Sequence, residues 1–347
     1  MLEKEFPKHL EMRITDEKGK PVENPDYKPF LITEILGALV NRYLEYHGFE
    51  FVGEKFKKLY DEMTEYVYSK TRKLIVVSPL QNFELKDVNE ILISNYRVRE
   101  LTDWEMQEFI SHGYSFGNVF GFGSDFGIIK EKYCVETVVN TPKRHTPPLN
   151  QYIEDFITVL RLFKHGNVEH EFILHYPKVW KTFWGMSGAS EDRGSILAPQ
   201  YVLTKEDENS LTLLMKQYLE LKYKFPNPIK FAIRWFNKSY RETNPMDRLL
   251  DLAIALEVLF GAGDRLDLCI PCFIGSNKEE RKELNRNIKK LREIRSSIVH
   301  GGFYKVEQEY VETIENIFRC CVLKIMNLLP RLTYENIMKS IREKLLE

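Results

Sequence analysis

The sequence predicts an α+β protein, with a mixed α+β region over residues 1–225 and an all-α helical bundle over residues 226–347. Three observations predict the split. Short runs rich in β-branched residues fall before residue 140. From residue 227 onward, apolar residues recur with the period of a buried helix face. The chain of 347 residues, 43% hydrophobic and 29% charged, can fill two or three cores.

The elements follow in chain order. Residues 1–30 are polar and proline-containing, and read as an extended arm or edge strand. Residues 32–46 and 55–69 are helical in pattern, with Gly48 placed as a stop after the first. Residues 74–78, 90–94 and 133–139 read as strands, and residues 101–111 as a helix. Residues 113–127 are rich in glycine and aromatics, and read as a loop or hairpin. Residues 151–163 are amphipathic. Thr204 and Asp207 stand at capping-box spacing before a helix towards Lys222, and Asn227-Pro228 reads as an N-cap with an N1 proline. In the bundle, residues 247–260 carry Leu249, Leu252, Ala253, Leu256 and Leu259 on one face, ended by Gly261 and Gly263. A loop with Cys269 and Cys272 follows. Ser276 and Glu279 then suggest a capping box for a helix reaching His300, closed by Gly301-Gly302. Residues 307–329 form a third helix, with Ile314, Ile317, Phe318, Cys321, Ile325 and Leu328 inward, and residues 333–346 a fourth.

Composition narrows the function. With 50 Lys+Arg against 51 Asp+Glu the net charge is -1, so contact with nucleic acid needs a local patch. The first ten residues lack the pattern of a signal peptide, and no run of about 18 apolar residues spans a membrane. These features lead to an expectation of a cytoplasmic protein without a membrane partner. A zinc knuckle needs four ligands, and Cys269-x-x-Cys272 supplies two, so small buried hydrophobes account better for the cysteines than a metal or redox switch. Gly121 to Gly127 lacks a nucleotide-loop frame, His165 and His170 lack metal-site spacing, and Ser187 lacks a nucleophile elbow. Phe116, Phe120, Phe122 and Phe126 read as core rather than a stacking platform.

One local patch stands out. Between Lys278 and Arg295 lie eight basic residues and four acidic ones, in a chain otherwise balanced. Such a stripe is either a solvated face or a footprint for phosphates. Residues 247–261 read D-R-L-L-D-L-A-I-A-L-E-V-L-F-G, residues 291–301 read L-R-E-I-R-S-S-I-V-H-G, and Phe231 to Tyr240 leads into them. Together these segments resemble the Apea-like branch of the HEPN ribonuclease superfamily over residues 227–330.

The resemblance implies a metal-independent endoribonuclease of antiviral or toxin type, active as a homodimer through its helical domain. It implies Arg295 and His300 as the catalytic pair, Ser296 and Glu257 in support, and Arg286, Lys289, Lys290 and Arg292 on the RNA. It implies no cofactor, no metal and no DNA partner. Relatives with a degraded motif only bind or dimerise. The alternative is therefore a non-catalytic dimer that binds RNA, nucleotide or a partner protein. Arg42 and His47 share the spacing of Arg295 and His300 and precede a glycine, but lack the helical context, so His47 reads as structural.

The chemistry suits these residue types. RNA carries its own nucleophile, the 2′-OH, and cleavage through it leaves a 2′,3′-cyclic phosphate and a 5′-OH. Histidine can move both protons, and arginine can hold the charged phosphorane with a fixed fork of donors. Positions five apart on a helix lie about 140° apart around the axis. Arg295 and His300 of one chain therefore cannot share a narrow face, which favours a site assembled from two chains.

Overall fold

The computed structural model describes residues 14–15, 21–22, 27–111, 132–142, 148–170, 172–178, 185–188, 199–261, 266–302 and 304–345. It is a mixed α+β structure whose C-terminal half is helical. The chain opens with β1 (Ile14–Thr15) and β2 (Pro21–Val22), then α1 (Tyr27–His47) and α2 (Gly53–Tyr68). β3 (Thr71–Pro79), β4 (Phe83–Leu85), β5 (Glu90–Ile93) and β6 (Tyr96–Glu100) follow, then α3 (Asp103–Ser111) and β7 (Tyr133–Pro142). Next come α4 (Asn150–Phe163), β8 (Phe172–Pro177), β9 (Gly185–Gly188) and β10 (Tyr201–Leu203). Seven helices end the chain: α5 (Asp207–Leu221), α6 (Asn227–Ser239), α7 (Pro245–Phe260), α8 (Leu266–Ile274), α9 (Lys278–Val299), α10 (Gln308–Leu328) and α11 (Tyr334–Lys344). The larger sheet has strand order β5-β6-β7-β3-β8-β9, and β4 pairs in parallel with β10. Among the described residues no helix is long and apolar enough to cross a membrane.

The chain forms two compact units. The first comprises Met1–Val77, Glu136–Asn150 and Ile173–Ser187. In it α1 and α2 make a helical hairpin around Ala38, Leu39, Tyr43, Leu59 and Met63. Gly48, at φ +68°, ends α1 as its sequence position predicts. The Tyr43 hydroxyl accepts from the Val52 N–H at 2.6 Å and donates to the Glu50 carbonyl at 2.9 Å, which locks the turn. His47 lies against the Tyr43 ring, 5.1 Å between centroids, in keeping with its structural reading. β3 and β8 pair antiparallel from Leu74 opposite Pro177 to Val77 opposite Leu174.

The second unit comprises Ser78–Val135, Gln151–Phe172 and Gly188–Glu347, so the expected domain boundary after residue 225 falls inside it. The physical reason is a shared core. Phe236 of α6 stacks on Phe318 of α10 at 4.5 Å, and Arg161 of α4 enters the same interior. There Glu315, wholly buried, pairs with Arg248 of α7 and with Arg319 one turn along α10. The Arg248 contact is an ion pair rather than an aligned hydrogen bond. Arg319 donates through Nη2 to Glu315 at 3.0 Å and to the Tyr240 hydroxyl at 2.7 Å, and through Nε to the Arg161 carbonyl at 2.7 Å. Tyr240 donates in turn to Glu315 at 3.2 Å, and its ring lies between the Arg161 and Arg248 guanidinium groups, 4.6 and 4.7 Å from its centre. Burial, then the Glu315 charge, pushes the Tyr240 hydroxyl up to about 12, so it stays a donor. Burial acts to raise the Glu315 carboxyl, but the His165 hydrogen bond and the two arginines outweigh it and hold its pKa down.

Helix ends depart from the sequence expectations in instructive ways. α9 is capped by Asn277, whose side chain accepts from the Glu279 and Glu280 N–H groups at 3.1 and 2.9 Å, and not by Ser276. The Ser276 N–H goes instead to Glu280 at 2.7 Å, so the box is shifted by one residue. Asn227 is already helical, preceded by Pro226 in extended conformation. Thr204 and Asp207 do pair as their spacing suggests, with the Thr204 N–H on the carboxylate at 2.9 Å. The segment with Cys269 and Cys272 is not a loop but helix α8, although Pro271 stands inside it. Proline removes the N–H that would bond the Asp267 carbonyl, and the Asn285 amide from α9 takes its place at 2.5 Å. Gly275 follows where a Cβ would meet the Pro271 carbonyl at 2.6 Å, so only glycine fits this turn. The described cysteines are unbridged, and among the described residues no group of three His, Cys, Asp or Glu could hold a metal. Gly263 and residues 113–127, with their four phenylalanines, lie outside the described residues.

Two outcomes follow for the second unit. Glu315→Ala leaves Arg248 and Arg319 facing each other without their carboxylate, and costs about 3–5 kcal/mol of unfolding free energy in urea titrations. Burial tends to raise the Glu154 carboxyl, yet His170, Arg161 and Arg241 bring it down to about 2. A lowered carboxyl stabilises the fold above its unfolded value and loses that stabilisation as pH falls towards the folded one. Thermal melts of the wild type therefore drop more steeply than those of Glu154→Gln between pH 4.5 and pH 2; parallel curves contradict the assignment.

Candidate nucleic-acid interface

α9 presents two faces, and the sequence sorts them. Ile288, Leu291 and Ile294 are buried and fix its inner side. Lys282, Arg286, Lys289, Glu293, Ser296 and His300 recur at alternating steps of four and three, and all six are exposed. Steps of four and three keep positions within about 40° of one line on a helix, so these residues form a single outer ridge. Among the described residues Arg286 and Lys289, at its middle, have no carboxylate partner, while Lys282 holds Glu279 at 3.0 Å.

The other two residues expected on RNA serve the fold in part. Lys290 lies over the Tyr310 ring at 4.2 Å, and the Tyr310 hydroxyl donates to the Asn287 carbonyl at 2.6 Å. Arg292 approaches Asp267 at 3.6 Å. Each sits off the ridge, drawn towards a neighbouring helix. The basic stripe of the sequence is thus divided by structure into ridge residues and braces.

Arg295 is a flank residue, with 39% of its side chain exposed. Glu257 of α7 meets it with both oxygens: Nη2 donates to Oε2 at 3.1 Å, and Nε lies 3.1 Å from Oε1 as an ion pair. Glu257, expected in a supporting role, is thus the partner of Arg295. The carboxylate holds the guanidinium in one orientation while leaving the Nη1 edge without a protein partner among the described residues. A bidentate clamp of this kind costs less to organise for phosphate binding than a free arginine.

His300 marks the end of α9. The Gly301 N–H bonds the Ile298 carbonyl at 3.0 Å and the Gly302 N–H the Ser297 carbonyl at 2.8 Å, the pair of bonds of a Schellman cap. Gly301 takes φ +78°, and a Cβ on Gly302 would stand 2.5 Å from the Ser297 Oγ. Glycine is therefore favoured at both positions, by the left-handed backbone at Gly301 and by the close Ser297 at Gly302, and the cap leaves His300, exposed, at the carbonyl end of the helix. That end carries partial negative charge, which favours a cation beside it. Within one chain Arg295 lies on the flank facing α7 and His300 on the outer ridge, as the helical spacing requires. Ser296, exposed on the same ridge, is the neighbour of both.

Sequence reasoning missed the buried ionic set of Glu315, Arg319, Arg248 and Arg161. A signal was available: Glu315 and Arg319 stand four apart among Ile314, Ile317 and Phe318, on the face expected to be apolar. His165 and His170, doubted as metal ligands, have separate carboxylate partners. His165 bridges Glu312 and Glu315 at 3.5 and 3.3 Å, and His170 meets Glu154 at 3.3 Å. Ser187 falls in β9. No family model, curated protein or solved structure matches the chain.

The cap has a measurable consequence. Gly301→Ala forces a side chain into left-handed backbone and costs about 1–2 kcal/mol. It frays the last turn of α9, seen as faster amide exchange at His300 and Gly302 with unchanged exchange around Ile288; uniform change across the helix contradicts the cap.

Proposed function

We propose that this protein is a metal-independent endoribonuclease of the HEPN type, whose site is assembled by two copies of the helical region that contains α9. The observation that carries the reading is the exposed ridge of α9, where His300 stands in line with Arg286 and Lys289, cations without a carboxylate partner among the described residues. A polyanion lying along that ridge meets Arg286 and Lys289, then has to pass the Glu293 carboxylate before it reaches the imidazole. Ser296 offers a hydroxyl on the way.

In this reading His300 takes the proton of the 2′-OH and, with its counterpart in the second chain, returns one to the leaving 5′-oxygen. Arg295, oriented by Glu257, meets the charge of the phosphorane with its open edge. Pairing two α9 helices about a two-fold axis brings an Arg295 flank of one chain towards a His300 of the other, which answers the angular separation within each chain. The antiviral or toxin role and the homodimer belong to the same proposal and rest on the resemblance of residues 227–330; the cytoplasmic setting enters it as an expectation from the sequence.

A second reading draws on Glu257. Because that carboxylate occupies one side of the Arg295 fork, the ridge can hold RNA without cutting it, and the dimer then acts as a binding module.

Incubation of purified protein with a mixed-sequence RNA in EDTA decides between them. The expected result is cleavage to 2′,3′-cyclic phosphate ends, with His300→Ala slowing it about 10²–10⁴-fold as loss of a general acid–base group does. Arg295→Ala slows it as well, and Arg286→Ala with Lys289→Ala weakens RNA affinity and lowers its salt dependence. Binding without cleavage selects the module; cleavage undiminished in both site mutants ends the proposal.

A further inference from the structure

A second site lies elsewhere in the same compact unit, independent of the ribonuclease reading. Between the end of α4 and the outer side of α10 is an open cleft of about 540 Å³, a volume in the range of small-molecule sites. Leu162, Phe163 and Leu323 give it an apolar wall. Arg319 forms part of its lining although only 3% of the residue is exposed.

The hydrogen bonds of Arg319 account for Nε and Nη2, and leave Nη1 without a partner among the described residues. Its charge is also incompletely matched. Glu315 is shared between Arg248, Arg319 and His165, whereas Arg161 has Glu169. One guanidinium of the buried set therefore lacks a carboxylate of its own. A buried cation with a spare donor is costly unless something anionic completes it, and the cleft is where that donor can be reached. Lys164 stands beside it, tied to Asp207.

The opposite rim carries acceptors. The Glu309 carboxylate has no partner among the described residues, and that of Glu312 holds only His165 and Gln308, at 3.5 and 3.3 Å. The exposed Asn316 amide lies between rim and floor, also without a partner. The cleft thus has a cationic floor, an acidic rim and an apolar wall.

We propose that this cleft binds a small organic anion, its phosphate or carboxylate head on Arg319 and its hydroxyl or amine donors on Glu309 and Glu312. A bare inorganic anion uses only the floor. A neutral molecule can accept from the Arg319 donor but leaves its charge unmatched. Long polyanions are disfavoured by the acidic rim.

Cys320, exposed in the cleft, reports occupancy, and the half-buried Cys272 on α8 serves as reference. Full-length protein is alkylated with a maleimide, and labelling of each cysteine is followed by peptide mass spectrometry. The probes are adenosine 5′-monophosphate and free glutamine, as two sources of a head group with donors, with adenosine and inorganic phosphate as its separate parts. At roughly ten times its Kd a ligand slows Cys320 labelling about tenfold, with Cys272 unchanged. The expected result is protection by at least one of the two organic anions, at lower concentration than by either part alone. Protection by the mononucleotide identifies a phosphate ester, and by glutamine an amino-acid-like ligand. Asn316→Leu, an exposed change that leaves the core intact, raises the protecting concentration, and Arg319→Lys does so further where its melt shows it folded. No protection by either organic anion, equal protection by phosphate alone, or protection unchanged in Asn316→Leu overturns the assignment.

Discussion

The second unit is organised around a carboxylate that has no access to water. Glu315 draws Arg248 of α7 and Arg319 of α10 into the interior, and Arg319 reaches on to the backbone of α4. Tyr240, at the end of α6, is held between two guanidinium groups and hydrogen-bonded to the same carboxylate. Four helices from distant parts of the sequence are thus joined at one point. Such a set contributes little net stability over an apolar core of equal volume, because each ion must first be desolvated. Its geometry is more exacting than that of apolar contacts, since each charged group accepts few arrangements. The α4 segment therefore cannot be separated from the C-terminal helices without stranding a charge.

With that core fixed, α9 is free to specialise. Its inner side is apolar, its flanks are held by Glu257, Asp267 and Tyr310, and its outer ridge is left for solvent or a ligand. The braces use basic residues that composition alone does not distinguish from binding residues. Half of the cations expected on RNA are spent in this way, and the ridge that remains leads to His300. The glycines after it act as a positional stop, because the helix cannot run on past Gly301.

Much of this was legible in the sequence, and the failures have physical causes. The periodic apolar faces of α7, α9 and α10 marked those helices, because burial of a stripe is a strong and local constraint. Gly48, Gly261 and Gly301 marked helix ends. The separation of Arg295 from His300 followed from helix geometry alone, whereas the pairing of Arg295 with Glu257 is decided by how α7 packs on α9. What the sequence concealed depended on partners far along the chain. α8 looked like a loop because its proline is tolerated only through Asn285. β4, β8 and β10 are short, and their pairing is decided by strands more than 90 residues away in two cases. Glu315 and Arg319 were hidden on a face counted as apolar, where only the arrival of Arg248, Tyr240 and Arg161 makes charge acceptable.

The amide of Asn285 also ties the fate of α8 to that of its neighbour. A helix of nine residues is too short to persist alone in water, and one interrupted by proline is weaker still. The carbonyl that Pro271 leaves open, Asp267 in the first turn of α8, is met by a side chain of α9. The more C-terminal helix is thus a structural support for the one before it, and whatever loosens α9 near Asn285 loosens α8 as well.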